Sequence, residues 1–134
     1  MISDKEKTDI INKNILERIE SAEILFKNGN YNDSVSRSYY AIFDAMRGLL
    51  ELNNVLAKSH TGVILKFNQH YIKTGILDKK FARTIAKIEK EREEADYFFQ
   101  KKVSKSLAKE ILKETRDFVK EVKYILRKGL VKNE

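Results

Sequence analysis

The chain runs for 134 residues without a proline. Proline breaks or kinks a helix because it lacks an N–H and its ring crowds the preceding turn. Nothing here forbids helices of many turns, and every reversal must be made with Gly, Asn, Asp and Ser. Such residues cluster in "KNGNYND" (27–33), "LNN" (52–54), "KTGILD" (73–78) and "KKVSKS" (101–106). They divide the chain into five segments whose apolar residues recur every three or four positions, the period of one helix face. No stretch sustains the period-two alternation of a half-buried strand.

The first segment, from about Asp4 to Lys27, puts Ile11, Ile15, Ile19, Ala22 and Phe26 on one face, and Gly29 follows as a helix-terminating residue. The second, Tyr31 to Leu52, has Asn30 in the N-cap position and stacks Val35, Tyr39, Ile42, Met46 and Leu49. The third runs from His60 to about Lys73, capped by Ser59, with Ile64, Phe67 and Tyr71 inward and Gly75 at its end. Asp78 caps a fourth running to about Lys101, with Leu77 stapled on Ala82; Ser104 opens a fifth, where Val103 and Ala108 make the same staple. That last helix buries Leu107, Ile111, Phe118, Val122 and Ile125. Amphipathic helices joined by short polar turns become antiparallel neighbours. The expected fold is all-α, an up-and-down four-helix bundle with an additional short helix, as one domain spanning residues 1–134.

A hydrophobic fraction of 42% and a charged fraction of 35% are too apolar for a disordered chain and too charged for a membrane protein. No apolar run approaches the roughly 20 residues that span a bilayer, and "MISDKEKTDII" lacks the apolar core of a secretion signal, so a cytoplasmic location is expected. The absence of cysteine excludes disulfides, thiolate catalysis and cysteine-ligated zinc. His60 and His70 are then the two ordinary proton carriers near neutral pH. There is no glycine-rich phosphate loop, no HExxH and no nucleophile elbow, and neither a metal nor a cofactor is expected.

One position breaks the apolar pattern. On the fourth helix the stripe runs Phe81, Ile85, Ile88, then Arg92, then Ala95 and Phe99. An inward arginine is tolerable when carboxylates lie beside it, and Glu89 and Asp96 stand three and four residues away on its own face. Pairing explains why Arg92 survives there but not why it was chosen, since leucine would pack with no such cost. One reading points its planar fork into a cleft or a dimer seam to meet a phosphate or other polar group; the other lays its stem on the core and its head in water. The second helix adds "SVSRSYYAIFDAMRGLL" (34–50), in which Arg37, Ser38, Tyr39 and Tyr40 put a cation and hydroxyls among apolar positions. Buried tyrosine hydroxyls seek partners, and Arg92 or Asp96 would serve.

The net charge is +7, and residues 101–134 hold eleven Lys or Arg against five Asp or Glu. On the fifth helix Lys105, Lys109, Lys113, Arg116, Lys120, Lys123 and Arg127 form one stripe, offset in part by Glu110, Glu114, Asp117 and Glu121. The imbalance suits an anionic partner, RNA or an acidic protein surface, and equally a solvated helix face.

"SVSRSYYAIFDAMRGLL", "KSHTGV" and "REEADY", in that order in an all-helical chain, resemble the HEPN superfamily, and in particular its small stand-alone prokaryotic members, from about Ile15 to Leu126. The resemblance implies a helical bundle that commonly forms homodimers and is often encoded beside a minimal nucleotidyltransferase, the two behaving as toxin and antitoxin. In the ribonuclease branch an Arg followed four to six residues later by His cuts RNA without metal. Arg92 matches that arginine, but Tyr97, Phe98 and Phe99 occupy the positions of the histidine, and a phenol with an ordinary pKa near 10 is a poor base at neutral pH. The expected activity is therefore binding of a nucleotide, RNA or a nucleotidyltransferase partner. Arg92 would hold phosphate or organise the cleft, Asp96 would orient it and Tyr97 would donate a hydrogen bond, with Arg37, Tyr40 and His60 as further ligand-binding candidates. A metal-independent endoribonuclease, with Arg92 and His60 as catalytic candidates, is the alternative. A purely structural dimer-seam ion pair is another.

Overall fold

Gly29 stops the first helix by the mechanism its type suggests. In the computed structural model, which describes residues 2–97 and 101–132 (the last three by their backbone alone), α1 spans Asp4–Lys27 and Gly29 follows at φ +80. The Gly29 N–H bonds the Phe26 carbonyl at 3.0 Å and the Asn30 N–H bonds the Leu25 carbonyl at 2.9 Å, the paired bonds of a Schellman motif. Asn30 occupies the N-cap position of α2 (Tyr31–Leu52) but makes no side-chain capping bond; its carbonyl takes the Ser34 N–H instead. α3 (His60–Phe67) is capped by Ser59, whose Oγ accepts from the Gly62 N–H at 2.9 Å. Asp78 accepts from the Lys80 N–H at 2.8 Å at the head of α4 (Lys80–Tyr97), and Ser104 accepts from the Leu107 N–H at 3.0 Å at the head of α5 (Lys105–Lys132).

Residues 68–73 depart from expectation. The third helix does not continue as α to Lys73: Asn68–Ile72 forms a π-helical turn, closed by a 2.8 Å bond from the Lys73 N–H to the Asn68 carbonyl. The wider turn accompanies the seating of Tyr71, which is buried, stacks on Phe67 at 5.0 Å and donates its hydroxyl to the Leu49 carbonyl at 3.2 Å. The Asn53 amide also bonds the Tyr71 hydroxyl. The fourth helix is described to Tyr97; Phe99, at the end of the apolar stripe, lies outside the described residues.

Five α-helices and no strand occur among the described residues, an all-α bundle. Its hub is α2, which packs against α1, α3, α4 and α5. Serving several neighbours requires apolar residues nearly all round, and Val35, Tyr39, Ala41, Ile42, Phe43, Ala45, Met46, Leu49 and Leu50 are all buried. Small residues set the close approach of α1. A Cβ on Gly48 would fall 2.8 Å from Ile11 Cγ2, and buried Ser34 donates to the Ala22 carbonyl at 2.8 Å. Phe118 of α5 anchors the centre, its ring edge-on to Phe67 at 5.8 Å and to Phe81 at 5.7 Å.

The segment between α4 and α5 is tied to the start of α2 by one side chain. Asn32 donates to the Lys101 carbonyl and accepts from the Val103 N–H, both at 2.8 Å, while Val103 inserts into the core. Asn32→Ala leaves both backbone groups unpartnered and is expected to destabilise the fold by about 1–3 kcal/mol, read as a lowered denaturation midpoint in urea with an unchanged slope.

Candidate functional site

Arg92 points inward. It is 8% exposed and its guanidinium carbon lies 4.4 Å from the centroid of the Tyr39 ring, a cation–π contact with a residue that is itself 0% exposed. Nη1 donates to Asp96 Oδ2 at 3.3 Å, one helical turn on, and the other Asp96 oxygen accepts from the Ser36 hydroxyl of α2 at 3.0 Å. Burial works against the cation, but the hydrogen bond and charge of Asp96 outweigh it and hold the guanidinium above its ordinary pKa. Nε is buried with no hydrogen-bond partner among the described residues. Glu89, expected as the second flanking carboxylate, forms no ion pair with Arg92 among the described residues; burial, then the neighbouring charge of Glu93, pushes its carboxyl up.

The hydroxyl end of Tyr39 reaches His60. Tyr39 Oη lies 3.1 Å from His60 Nδ1, and the imidazole packs on Phe43 at 4.2 Å and edge-on to Tyr40 at 6.3 Å. Ser59 starts α3 immediately before His60, so the cap fixes where the ring emerges. The result is a continuous run of contacts, Asp96 to Arg92 to Tyr39 to His60, assembled from α4, α2 and the head of α3. Beside it opens a cleft of about 390 Å³ lined by Asp33, Ser36, Arg37, Tyr40 and Asp96 with Leu25 of α1. Arg18 closes its edge, paired with Asp44 at 3.2 Å and 5.5 Å from the Tyr40 ring centroid.

The structure thus brings Arg37, Tyr40 and Asp96 to one cleft, with Arg92 behind Asp96 and His60 across Tyr39. Tyr97 faces away, at 76% exposure, on the solvent side of the end of α4. Phe98 and Phe99 lie outside the described residues. Ser36 and Phe43 are not among the expected site residues, and the hydroxyl of Tyr39, expected on Arg92 or Asp96, goes to His60 while the ring face takes Arg92. The spacing of three and four puts Ser36, Tyr39 and Phe43 on one face of α2 with Tyr40, and that face was the signal available. His, Asp and Glu side chains nowhere gather into a metal-binding group among the described residues. No helix there is long and apolar enough to cross a membrane.

Residues 15–125 match the HEPN domain. The chain belongs to the HEPN family. It is 36% identical over 114 residues to a Methanocaldococcus jannaschii protein named "Putative toxin", covering 85% of this chain and 84% of that one. A second M. jannaschii protein of the same name is 32% identical over 87% of this chain and 80% of its own. A UPF0332 protein of Archaeoglobus fulgidus is 32% identical over 83% and 88%. Arg92 of α4 and His60 at the head of α3 meet on one side chain, Tyr39 of α2.

Burial of Tyr39 pushes its phenol up to about 12, against the opposing pull of Arg92. A phenol that keeps its proton more tightly in the fold than in the unfolded chain contributes stability that is complete below about pH 10 and disappears as pH rises towards 12. The wild type is expected to lose about 2–3 kcal/mol more than Tyr39→Phe between pH 9.5 and pH 12. Urea unfolding of both proteins at the two pH values measures it, since lysine titration is common to both.

Proposed function

We propose that this chain is the toxin-like member of a toxin–antitoxin pair, partnered by a minimal nucleotidyltransferase, and that as a homodimer it binds a nucleotide or RNA through the Arg92 cleft. The names of the two M. jannaschii relatives support the toxin half of this reading. The binding half is carried by one observation, the unbroken contact from Asp96 through Arg92 and Tyr39 to His60.

Recognition of a phosphate needs an accessible cation and donors fixed in place. Arg37, exposed at the rim of the cleft, supplies the cation. Arg92 lies too deep to leave its partner, so it organises the cleft by holding Asp96 and the Tyr39 ring, and Asp96 in turn orients Ser36. Tyr40 gives the wall a flat face. AMP, a single nucleotide, is the clean probe. Calorimetric titration is expected to give binding that Arg37→Ala and Asp96→Ala each weaken about tenfold, or about 1.4 kcal/mol. Wild-type protein that takes up no AMP, or variants that bind it unchanged, defeat the reading.

The position of His60 favours a second reading, a metal-independent endoribonuclease. The fold returns an imidazole to the neighbourhood of Arg92, which is what such chemistry lacks in the sequence of α4. RNA incubated with the purified protein in chelator separates the two. Cleavage abolished by His60→Ala and Arg92→Ala supports the enzyme; intact RNA at high protein concentration supports binding alone.

A further inference from the structure

On the far side of α1 from the Arg92 cleft, an open groove of about 550 Å³ runs between α1 and α5. The two helices are antiparallel there, and each contributes a row of cations: Lys5 and Lys13 from α1, Lys123 and Arg127 from α5. Among the described residues none of these four forms an ion pair, whereas two other members of the α5 stripe do, Arg116 with Glu23 at 3.1 Å and Lys113 with Asp117 at 3.3 Å. Asp9 is the one acid lining the groove. Pairing thus covers Arg116 and Lys113 in the middle of the stripe, while the four cations that face one another across the groove have no such partner among the described residues.

We propose that this groove is a docking track for the sugar-phosphate backbone of single-stranded RNA. Residues four apart on a helix rise by about 6 Å, close to the separation of successive phosphates on a stretched strand, so Lys123 and Arg127 stand about one phosphate interval apart, and Lys5 and Lys13, eight residues apart on either side of Asp9, about two. The floor carries two buried oxygens, Thr8 Oγ1 and Asn12 Oδ1, that have no hydrogen-bond partner among the described residues. Buried polar atoms are normally satisfied; turned out into the groove by a side-chain rotation, both can accept from a 2′-hydroxyl, the group that distinguishes RNA from DNA. A protein partner would need a buried aromatic or aliphatic anchor. The groove offers one apolar side chain, Leu16, and no aromatic. Contacts limited to backbone make the binding independent of base sequence. The track stands apart from the cleft reading, since no residue lines both.

The test is fluorescence anisotropy of the full chain with a labelled twelve-nucleotide oligouridine across a salt series. Wild type is expected to bind with affinity falling steeply with salt, and Lys123→Gln/Arg127→Gln to lower affinity about tenfold and flatten the log–log slope by about 1.4, the share of two single-strand phosphate contacts. Lys5→Gln/Lys13→Gln is expected to do the same, giving a second reading from the opposite wall should either variant fold poorly. Lys58→Gln/Lys79→Gln, a charge-matched control on another surface, is expected to bind as wild type. The proposal is overturned if both groove variants match the wild type or if the control loses as much. Oligodeoxyuridine bound equally well also overturns it, as does poly-glutamate bound more tightly than RNA, which would point to an acidic protein.

Discussion

The structure turns on keeping a guanidinium nine-tenths buried. A cation removed from water loses several kcal/mol of hydration, which no single contact restores. Here three partial remedies combine: the face of the Tyr39 ring, the hydrogen bond to Asp96, and the part of Asp96 that remains wet. Because Asp96 is 39% exposed at its side chain, the pair sits at the boundary between core and solvent, where its Coulomb term is weakened but its own desolvation is small. Arg92 Nε remains unmatched. A leucine at this position would continue the stripe of Phe81, Ile85 and Ile88 with none of these demands, so the arrangement runs against stability and is explained by what it holds in place.

What it holds is tied to the hub of the bundle. Tyr39 lies among the core residues of α2, with Phe43 stacked 6.0 Å away, and the same ring carries Arg92 on its face and His60 on its hydroxyl. A side chain locked by packing on a central helix cannot drift by more than the core allows, which gives the site the rigidity that loop-borne residues lack. The exposed pieces, Arg37, His60 and Tyr97, are attached to this frame at helix positions or at a capped helix start. Core packing and the site are thus one structure, and a substitution at Tyr39 disturbs both.

The parts of this arrangement that were legible in sequence are those set by local geometry. Gly29, Ser59, Asp78 and Ser104 act where their types place them, because turns and caps depend on the residue and its immediate neighbours. A period of 3.6 is enough to put Arg92 on the apolar face, but it leaves open whether the head turns inward or out to water, which the contact with Tyr39 decides. The same arithmetic sets Tyr97 apart: five residues after Arg92 is about 140° round the helix, so the phenol leaves the face that Asp96 shares. Asn32 with Val103, the π-helical turn, and Tyr39 with His60 were not legible. Each depends on a distance between segments 21 or more residues apart, or on a turn that widens to seat Tyr71, and no local pattern encodes either.

The hydrogen bond between Tyr39 and His60 also limits the chemistry open to the imidazole. A phenol that burial keeps protonated to about pH 12 retains its O–H, which can donate to His60 Nδ1 or turn to accept from it. When it donates to Nδ1, the ring proton resides on Nε2, which is then a hydrogen-bond donor and not a base. For Nε2 to accept a proton, the ring must change tautomer and Tyr39 must turn its hydroxyl to accept from Nδ1–H, a rotation the single hydroxyl torsion permits. Arg92 bears on that choice, because a cation against the face of the ring withdraws electron density and makes the phenol oxygen a poorer acceptor. The geometry therefore favours His60 as a donor towards an anionic ligand. That is the role binding requires; cleavage requires instead a ring that takes up one proton and releases another.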